Sequence, residues 1–262
     1  MIISLKNKRA LVTGGGTGIG QYIAKALADS GAKVAFTSRK KNSLEKTYKL
    51  LGNNSRHLPC HIDLFKKGNV DKLYKKLNKE FGTVDIIINN IGHTLNKKNP
   101  FAPIADWEKI MKLNFFTAVE VVNRFVSNMK KQNWGRIVNI TSVAGMEISG
   151  PSTFNASKAA LTAYTKSVGR ALALEKKNVV MTAVAPGIIV TERGNWNKKT
   201  IKSKHAKNYL KHRSALGRFQ TMDELTGIVV FLSSDFASFF HSSIIHADGG
   251  HSKHYMSDTY LK

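Results

Sequence analysis

Short apolar runs of strand length alternate along the chain with stretches whose apolar residues recur at helical spacing. Arg9 to Thr13 reads as a first strand, followed by glycines and an amphipathic run from Ile19 to Ser30. Lys33 to Thr37, His57 to Ile62 and Val84 to Asn89 read as the next three strands, separated by helical patterns over Asn42 to Leu51 and Val70 to Phe81. In the second of these, Val70, Leu73, Leu77 and Phe81 fall on one helical face. A long helix is predicted from about Trp107 to Lys131, a fifth strand over Gly135 to Thr141, and a helix over Thr153 to Lys176. Val179 to Ala185, a helix over Met222 to Ser233 and a last strand over Ser243 to Ala247 complete the series.

Strands that alternate with helices call for a parallel sheet, because parallel neighbours need crossover connections. The expected fold is α/β: a single-domain Rossmann fold, a doubly wound parallel sheet of about seven strands flanked by helices. With no repeat, linker or low-complexity segment, one domain is expected over residues 1–262. Residues 192–216 lack strand character and are expected to form an insert over one end of the sheet.

The glycine-rich turn Thr13-Gly14-Gly15-Gly16-Thr17-Gly18-Ile19-Gly20 leaves the first strand and opens the first helix. In that setting glycines let the backbone approach a pyrophosphate, which sits on the free N–H groups of the helix N-terminus. Gly14, Gly16, Thr17, Gly18, Ile19 and Gly20 are therefore candidate nucleotide-binding residues. At the end of the second strand an NAD-selective site would carry Asp or Glu for the ribose 2′-OH. This chain has Thr37-Ser38-Arg39-Lys40 and no carboxylate before Glu45. A guanidinium suits a 2′-phosphate, which a carboxylate would repel. Ser38 and Arg39 thus point to NADP(H).

The formal net charge is +24, carried mainly by lysines scattered in pairs along solvated faces. No basic motif interleaved with aromatics appears, so nucleic acid is not an expected partner. One concentration stands apart. Between Glu192 and Arg213 the chain carries Arg193, Lys198, Lys199, Lys202, Lys204, Lys207, Lys211 and Arg213 against the single acid Glu192, with His205 and His212 in addition. An anionic substrate is expected beneath it. No apolar run approaches the ~20 residues of a membrane-spanning helix, and the N-terminus runs straight into a strand with no room for a signal peptide. One cysteine, Cys60, excludes an internal disulfide. A reducing cytoplasm is the expected home.

Beyond the glycine turn, the residues resemble the short-chain dehydrogenase/reductase family, particularly its bacterial ketoreductases acting on acyl carriers, sugars and other small carbonyl compounds. The resemblance spans nearly the whole chain. It rests on Thr13 to Gly20; Asp63 after the third strand; Asn89-Asn90-Ile91-Gly92; Asn114; Ser142 in Ile140-Thr141-Ser142; Asn155-Ala156-Ser157-Lys158-Ala159-Ala160; Pro186-Gly187 with Thr191; and Asp248-Gly249-Gly250. It implies that Asp63 lies near the adenine, and it adds Asn90 to the cofactor-binding set. Lys158 would bond the nicotinamide ribose, and Pro186, Gly187, Ile189 and Thr191 would flank the carboxamide. Asn114 would hold a relay water and Ser142 would orient the substrate oxygen. A homo-oligomer, tetramer or dimer, is implied as well, with Phe239, Phe240, Ile244 and Ile245 as interface candidates. No metal is implied.

One position departs from the family pattern. The proton source is a tyrosine four residues before the lysine, and here that residue is Phe154. Hydride transfer to a carbonyl builds alkoxide character, so a donor and a proton source must sit at that oxygen. A phenyl ring supplies neither. His93, directly after Asn89-Asn90-Ile91-Gly92, is the candidate replacement and a candidate substrate contact together with Ser142 and Phe154. Tyr164 and Glu147 are weaker candidates. The function expected is NADP(H)-dependent hydride transfer to or from a small anionic carbonyl or alcohol, with an atypical proton donor. The alternative is an NADP(H)-binding relative without ordinary redox turnover, such as a lyase, isomerase or regulator.

Overall fold

A computed structural model describes residues 2–147, 149–192, 196–197 and 199–252. Seven strands form one parallel sheet: β1 (Arg9–Val12), β2 (Lys33–Ser38), β3 (Leu58–His61), β4 (Ile86–Asn89), β5 (Gly135–Ile140), β6 (Val179–Pro186) and β7 (Ile244–Ala247). Their order across the sheet is β3-β2-β1-β4-β5-β6-β7, and every adjacent pair is parallel. The order reverses between β1 and β4, and in such sheets a crevice opens there at the carboxyl ends of the strands.

Successive strand residues point to opposite faces, and both faces are covered. Ala10 and Val12 of β1 pack with Ile23, Leu27, Leu225 and Val229 on one side. Leu11, between them, packs with Leu73, Leu77, Val121 and Phe125 on the other. The helices supplying those layers are α1 (Gly18–Asp29), α2 (Lys41–Leu50), α3 (Asn69–Glu80), α4 (Ile104–Met111), α5 (Thr117–Lys131), α6 (Ser152–Leu174), α7 (Lys204–Arg213) and α8 (Met222–Leu232). Thr221 and Glu224 form a reciprocal capping box that starts α8. Among the described residues, no helix is long and apolar enough to cross a membrane.

Two features differ from the periodicity. The long helix expected from Trp107 begins at Ile104 and is interrupted by a π-helical turn at Lys112–Phe116, so that α4 and α5 are separate segments. Such a turn wedges an extra residue into the helix and is often found at functional sites. Here it contains Asn114. The insert over residues 192–216 contains α7, whose polar sequence hides its helical character: Ala206 is its only buried residue. Ser203 caps it, accepting from the Ala206 amide at 3.1 Å. Arg193 and Lys198 of the basic cluster lie outside the described residues.

Candidate active site

The glycine turn is built for close approach. Gly14 and Gly18 adopt φ of +67° and +56°, in the left-handed region that glycine enters without cost. A Cβ on Gly16 would lie 2.7 Å from both Cβ and Oγ of Ser38, so the turn rests directly on the end of β2. A side chain on Gly20 would collide with the Asn90 amide and the Gly14 carbonyl. Asn90 ties the end of β4 to the same turn: its Nδ2 donates to the Thr13 and Gly14 carbonyls (3.0 and 3.3 Å), and its backbone N–H donates to Thr13 Oγ1 (3.0 Å). Thr17, the residue before α1, forms no side-chain capping bond, and the first turn has no acid. The positive end of the α1 dipole therefore faces this cradle without a competing protein anion. Backbone with no room for side chains, at a helix N-terminus, fits a pyrophosphate.

The end of β2, with Ser38, lies beside it, and the end of β3 lies next to β2. The Ile62 amide donates to the Ser38 carbonyl (3.0 Å), which brings the end of β3 next to the end of β2. Asp63 Oδ1 accepts from the Phe65 amide (3.1 Å). Ser38 Oγ accepts from the Lys40 amide (3.2 Å). Arg39 and Lys40 form no ion pair among the described residues. At the far side Thr191 comes within 3.9 Å of the position a Gly18 Cβ would take. The Pro186–Gly187 turn is pinned by the Gly187 amide donating to the Ala247 carbonyl (3.0 Å). Ile189 forms an isolated bridge to Gln220. A cleft of about 210 Å³ between Ile188, Gln220 and Asp248 lies behind that turn and is lined by neither the glycine turn nor Lys158.

Asn114 and Lys158 meet at Gly92. A Cβ there would lie 2.9 Å from Asn114 Oδ1 and 2.9 Å from Lys158 Nζ, so this glycine keeps open a gap shared by the two side chains. Asn114 is fixed in orientation: its Oδ1 accepts from the His93 amide (2.8 Å), and its Nδ2 donates to the His93 and Ile110 carbonyls (both 3.0 Å). Lys158 is 3% exposed and donates to the Ile140 carbonyl at 2.8 Å. Burial without a carboxylate partner lowers its ammonium to a pKa of about 8. Its Nζ stands 5.7 Å from the centroid of the Phe154 ring. Ser142 Oγ accepts from the Ala144 amide (3.1 Å), which leaves its hydroxyl proton available to donate.

The alternative acids fare differently. His93 Nδ1 accepts from the Leu95 amide at 2.8 Å. With Nδ1 accepting, the hydrogen-bond donor of the ring is Nε2–H. His93 is thus oriented to donate a hydrogen bond from Nε2. Tyr164 packs edge-on against Phe115, and burial pushes its phenol up to about 12.

Sequence reasoning missed an aromatic wall beneath α7. Trp196 stacks on His205 and packs against Tyr209 and Phe219, and Tyr209 packs against His251. Tyr209 also hydrogen-bonds Ser149, in the loop beside Phe154. His251 is 3% exposed, and neither ring nitrogen has a hydrogen-bond partner among the described residues. Aromatic spacing within residues 196–219 was the available signal, masked by the lysines around it.

The comparisons agree with this fold. The family model for short chain dehydrogenases matches residues 8–201, and the chain belongs to that family of oxidoreductases. It is 34% identical over 255 residues to the 3-oxoacyl-[acyl-carrier-protein] reductase FabG of Aquifex aeolicus, covering 95% of this chain and 99% of that protein. It is 30% identical over 249 residues to the enzyme of the same name from Escherichia coli K12, covering 95% and 98%. Among solved structures, the Pseudomonas aeruginosa RhlG/NADP active-site complex superposes with a TM-score of 0.85 at 25% identity, covering 95% of this chain and 98% of that one.

Proposed function

We propose that this protein is an NADPH-dependent carbonyl reductase whose substrate is small and anionic, such as a 3-oxoacyl group carried as a thioester on a phosphopantetheine carrier. The close approach of Gly16 to Ser38 supports the cofactor assignment, because Arg39 is the residue that follows Ser38. Gly14, Thr17, Gly18, Ile19, Gly20 and Asn90 bind the pyrophosphate region, Asp63 the adenine, and Pro186, Gly187, Ile189 and Thr191 the carboxamide. Relatives of similar length are named as 3-oxoacyl-carrier reductases, which supports the substrate class. When bound, the reduced nicotinamide supplies a hydride. Ser142 and the His93 Nε2–H hold the substrate oxygen, Asn114 anchors water behind Lys158, and the Phe154 ring packs against the substrate. Lysines of the 192–216 lid attract the substrate's charge. The protein works as a homo-oligomer in the cytoplasm.

Replacing Arg39 by Glu tests the cofactor assignment. Cofactor fluorescence on titration should show NADPH affinity falling by at least tenfold while NADH affinity rises; unchanged selectivity would remove Arg39 from the 2′-phosphate site. Phe154 favours a second reading, an NADP(H)-binding relative without redox turnover, since loss of a general acid costs roughly 10²–10⁴ in rate.

A further inference from the structure

We infer that the cleft between α6 and the turn leading into β7 is an anion site, which takes the phosphate group of a small phosphate monoester on Lys166 and Arg170. The site is separate from the cofactor crevice, because Arg170 lies about 18 Å beyond Lys158 along α6. It does not depend on the carbonyl-reductase reading.

The cleft has a volume of about 460 Å³ and is lined by Lys166, Arg170 and Ala173 of α6 and by His241 and Ser242 of the turn. That is room for a phosphate and an organic body. Lys166 and Arg170 stand one helical turn apart, so their side chains share a face. Both are exposed, and neither pairs with a carboxylate among the described residues. Like charges at that spacing work against a helix unless an anion sits between them. No acid is at hand to do so: α6 carries none over its 23 residues, and none occurs from Phe236 to Ala247. Arg136 adds positive charge nearby; burial first, and then this guanidinium, hold His241 below the ordinary imidazole value.

The wall facing the two cations is fixed in advance. A Cβ on Gly169 would lie 2.8 Å from both the amide nitrogen and Oγ of Ser242, so the turn rests directly on α6. The Ser242 amide donates to the Met181 carbonyl, and its hydroxyl to the Lys166 carbonyl, both at 2.9 Å. Ser242 is held at φ +64°, in the left-handed region that a side chain enters at a cost. His241 lines the same wall, and its Nδ1 is buried with no hydrogen-bond partner among the described residues. An unpaired buried nitrogen is uncommon, and an acceptor oxygen entering the cleft meets an unsatisfied imidazole. A guanidinium grips phosphate oxygens through paired N–H groups, and the ammonium one turn away favours a dianion over a carboxylate.

The test uses the full chain saturated with NADPH, in a buffer free of phosphate. With 15N-labelled histidine, the His241 resonance is assigned by its absence from His241→Gln and followed as phenyl phosphate is added. Saturable movement is expected with a submillimolar dissociation constant, weakening as ionic strength rises. The double variant Lys166→Gln/Arg170→Gln should bind at least tenfold more weakly, whereas Lys199→Gln/Lys202→Gln on the lid should bind as wild type does. Benzoate, with the same ring and a single charge, should bind at least fivefold more weakly than phenyl phosphate. Thermal midpoints check that the variants fold, and Arg170→Gln alone is read in the same way if the double variant does not. No saturable movement, or equal affinity in the folded variant, would overturn the site. Benzoate binding as tightly as phenyl phosphate would overturn its assignment to phosphate. A His241 response in protein that fails to bind NADPH would support the site and overturn the reductase reading instead.

Discussion

At the scale of single residues, the site is organised by what a few atoms lack. Gly92 lacks a Cβ, and the space joins Asn114 to Lys158. Phe154 lacks a hydroxyl, and the ammonium 5.7 Å away has no phenol to acidify. A buried lysine without a counter-charge carries a stability cost. Its folded pKa of about 8 lies below the ordinary lysine value of 10.5, so between those two pH values the unfolded chain binds more protons. The cost is fully present below about pH 8 and is relieved as pH rises toward 10.5. Lys158→Met should accordingly become less stable relative to wild type across that window, by on the order of 3 kcal/mol. Urea unfolding of both proteins at pH 7 to 10.5 reads the difference directly, and a constant difference would refute the uncompensated burial of Lys158. Glycines, Ser38-Arg39, Ser142, Asn114 and Lys158 were all legible in the sequence as residue types at family spacing. Their hydrogen bonds were not. That His93 Nδ1 accepts from the Leu95 amide depends on a turn in which Leu95 and Asn96 both take positive φ, which no residue pattern announces.

At the scale of elements, strands were the most legible part, because buried parallel strands are short continuous apolar runs. The π-helical turn at Lys112–Phe116 was not legible, since one wedged residue scarcely disturbs helical periodicity. Nor was α7, which owes its position to Trp196, Tyr209 and His251 rather than to an apolar stripe of its own. The β2–β3 edge contains a further device. Val34 lies one residue before the first β2–β3 pair, Ala35 with Leu58, and its amide donates to His57 Nδ1 at 3.1 Å instead. Burial, together with the neighbouring Arg56 charge, pushes His57 down to about 4 from 6.5. Here too the unfolded chain binds more protons between the two values, so this contribution is intact above about pH 6.5 and lost as pH falls toward 4. His57→Leu should cost about 1–3 kcal/mol at pH 7 by orphaning the Val34 amide. The gap from wild type should narrow between pH 6.5 and 4 in denaturant titrations; a gap that persists unchanged would exclude the His57 bond.

At the scale of the whole molecule, the +24 charge and the exposed apolar residues make separate predictions. The charge was visible from composition, but its concentration on a lid could only be proposed. If the lid lysines steer an anionic substrate, replacing Lys199 and Lys202 by Gln should raise KM for acetoacetyl-CoA several-fold at low ionic strength. The difference should vanish near 1 M salt, where the Debye length is about 3 Å; equal KM values at low salt would exclude steering. Of the interface candidates, Phe240 packs edge-on against Phe231 and Ile245 joins the core, whereas Phe239 is 98% exposed. Phe239 is therefore the residue through which self-association should be tested. Phe239→Asp should lower the sedimenting mass of a homo-oligomer without lowering the thermal midpoint of the subunit fold.

On the proposed function, this family member reduces carbonyls with NADPH although Phe154 stands where the family has a phenol. NADPH oxidation by the unmodified protein with acetoacetyl-CoA, followed by absorbance at saturating NADPH, tests it most directly. Repeated turnover, abolished by Lys158→Arg, is the predicted result. Tight NADPH binding with no oxidation until Phe154→Tyr is introduced would contradict it, and would leave a dinucleotide-binding protein without redox turnover.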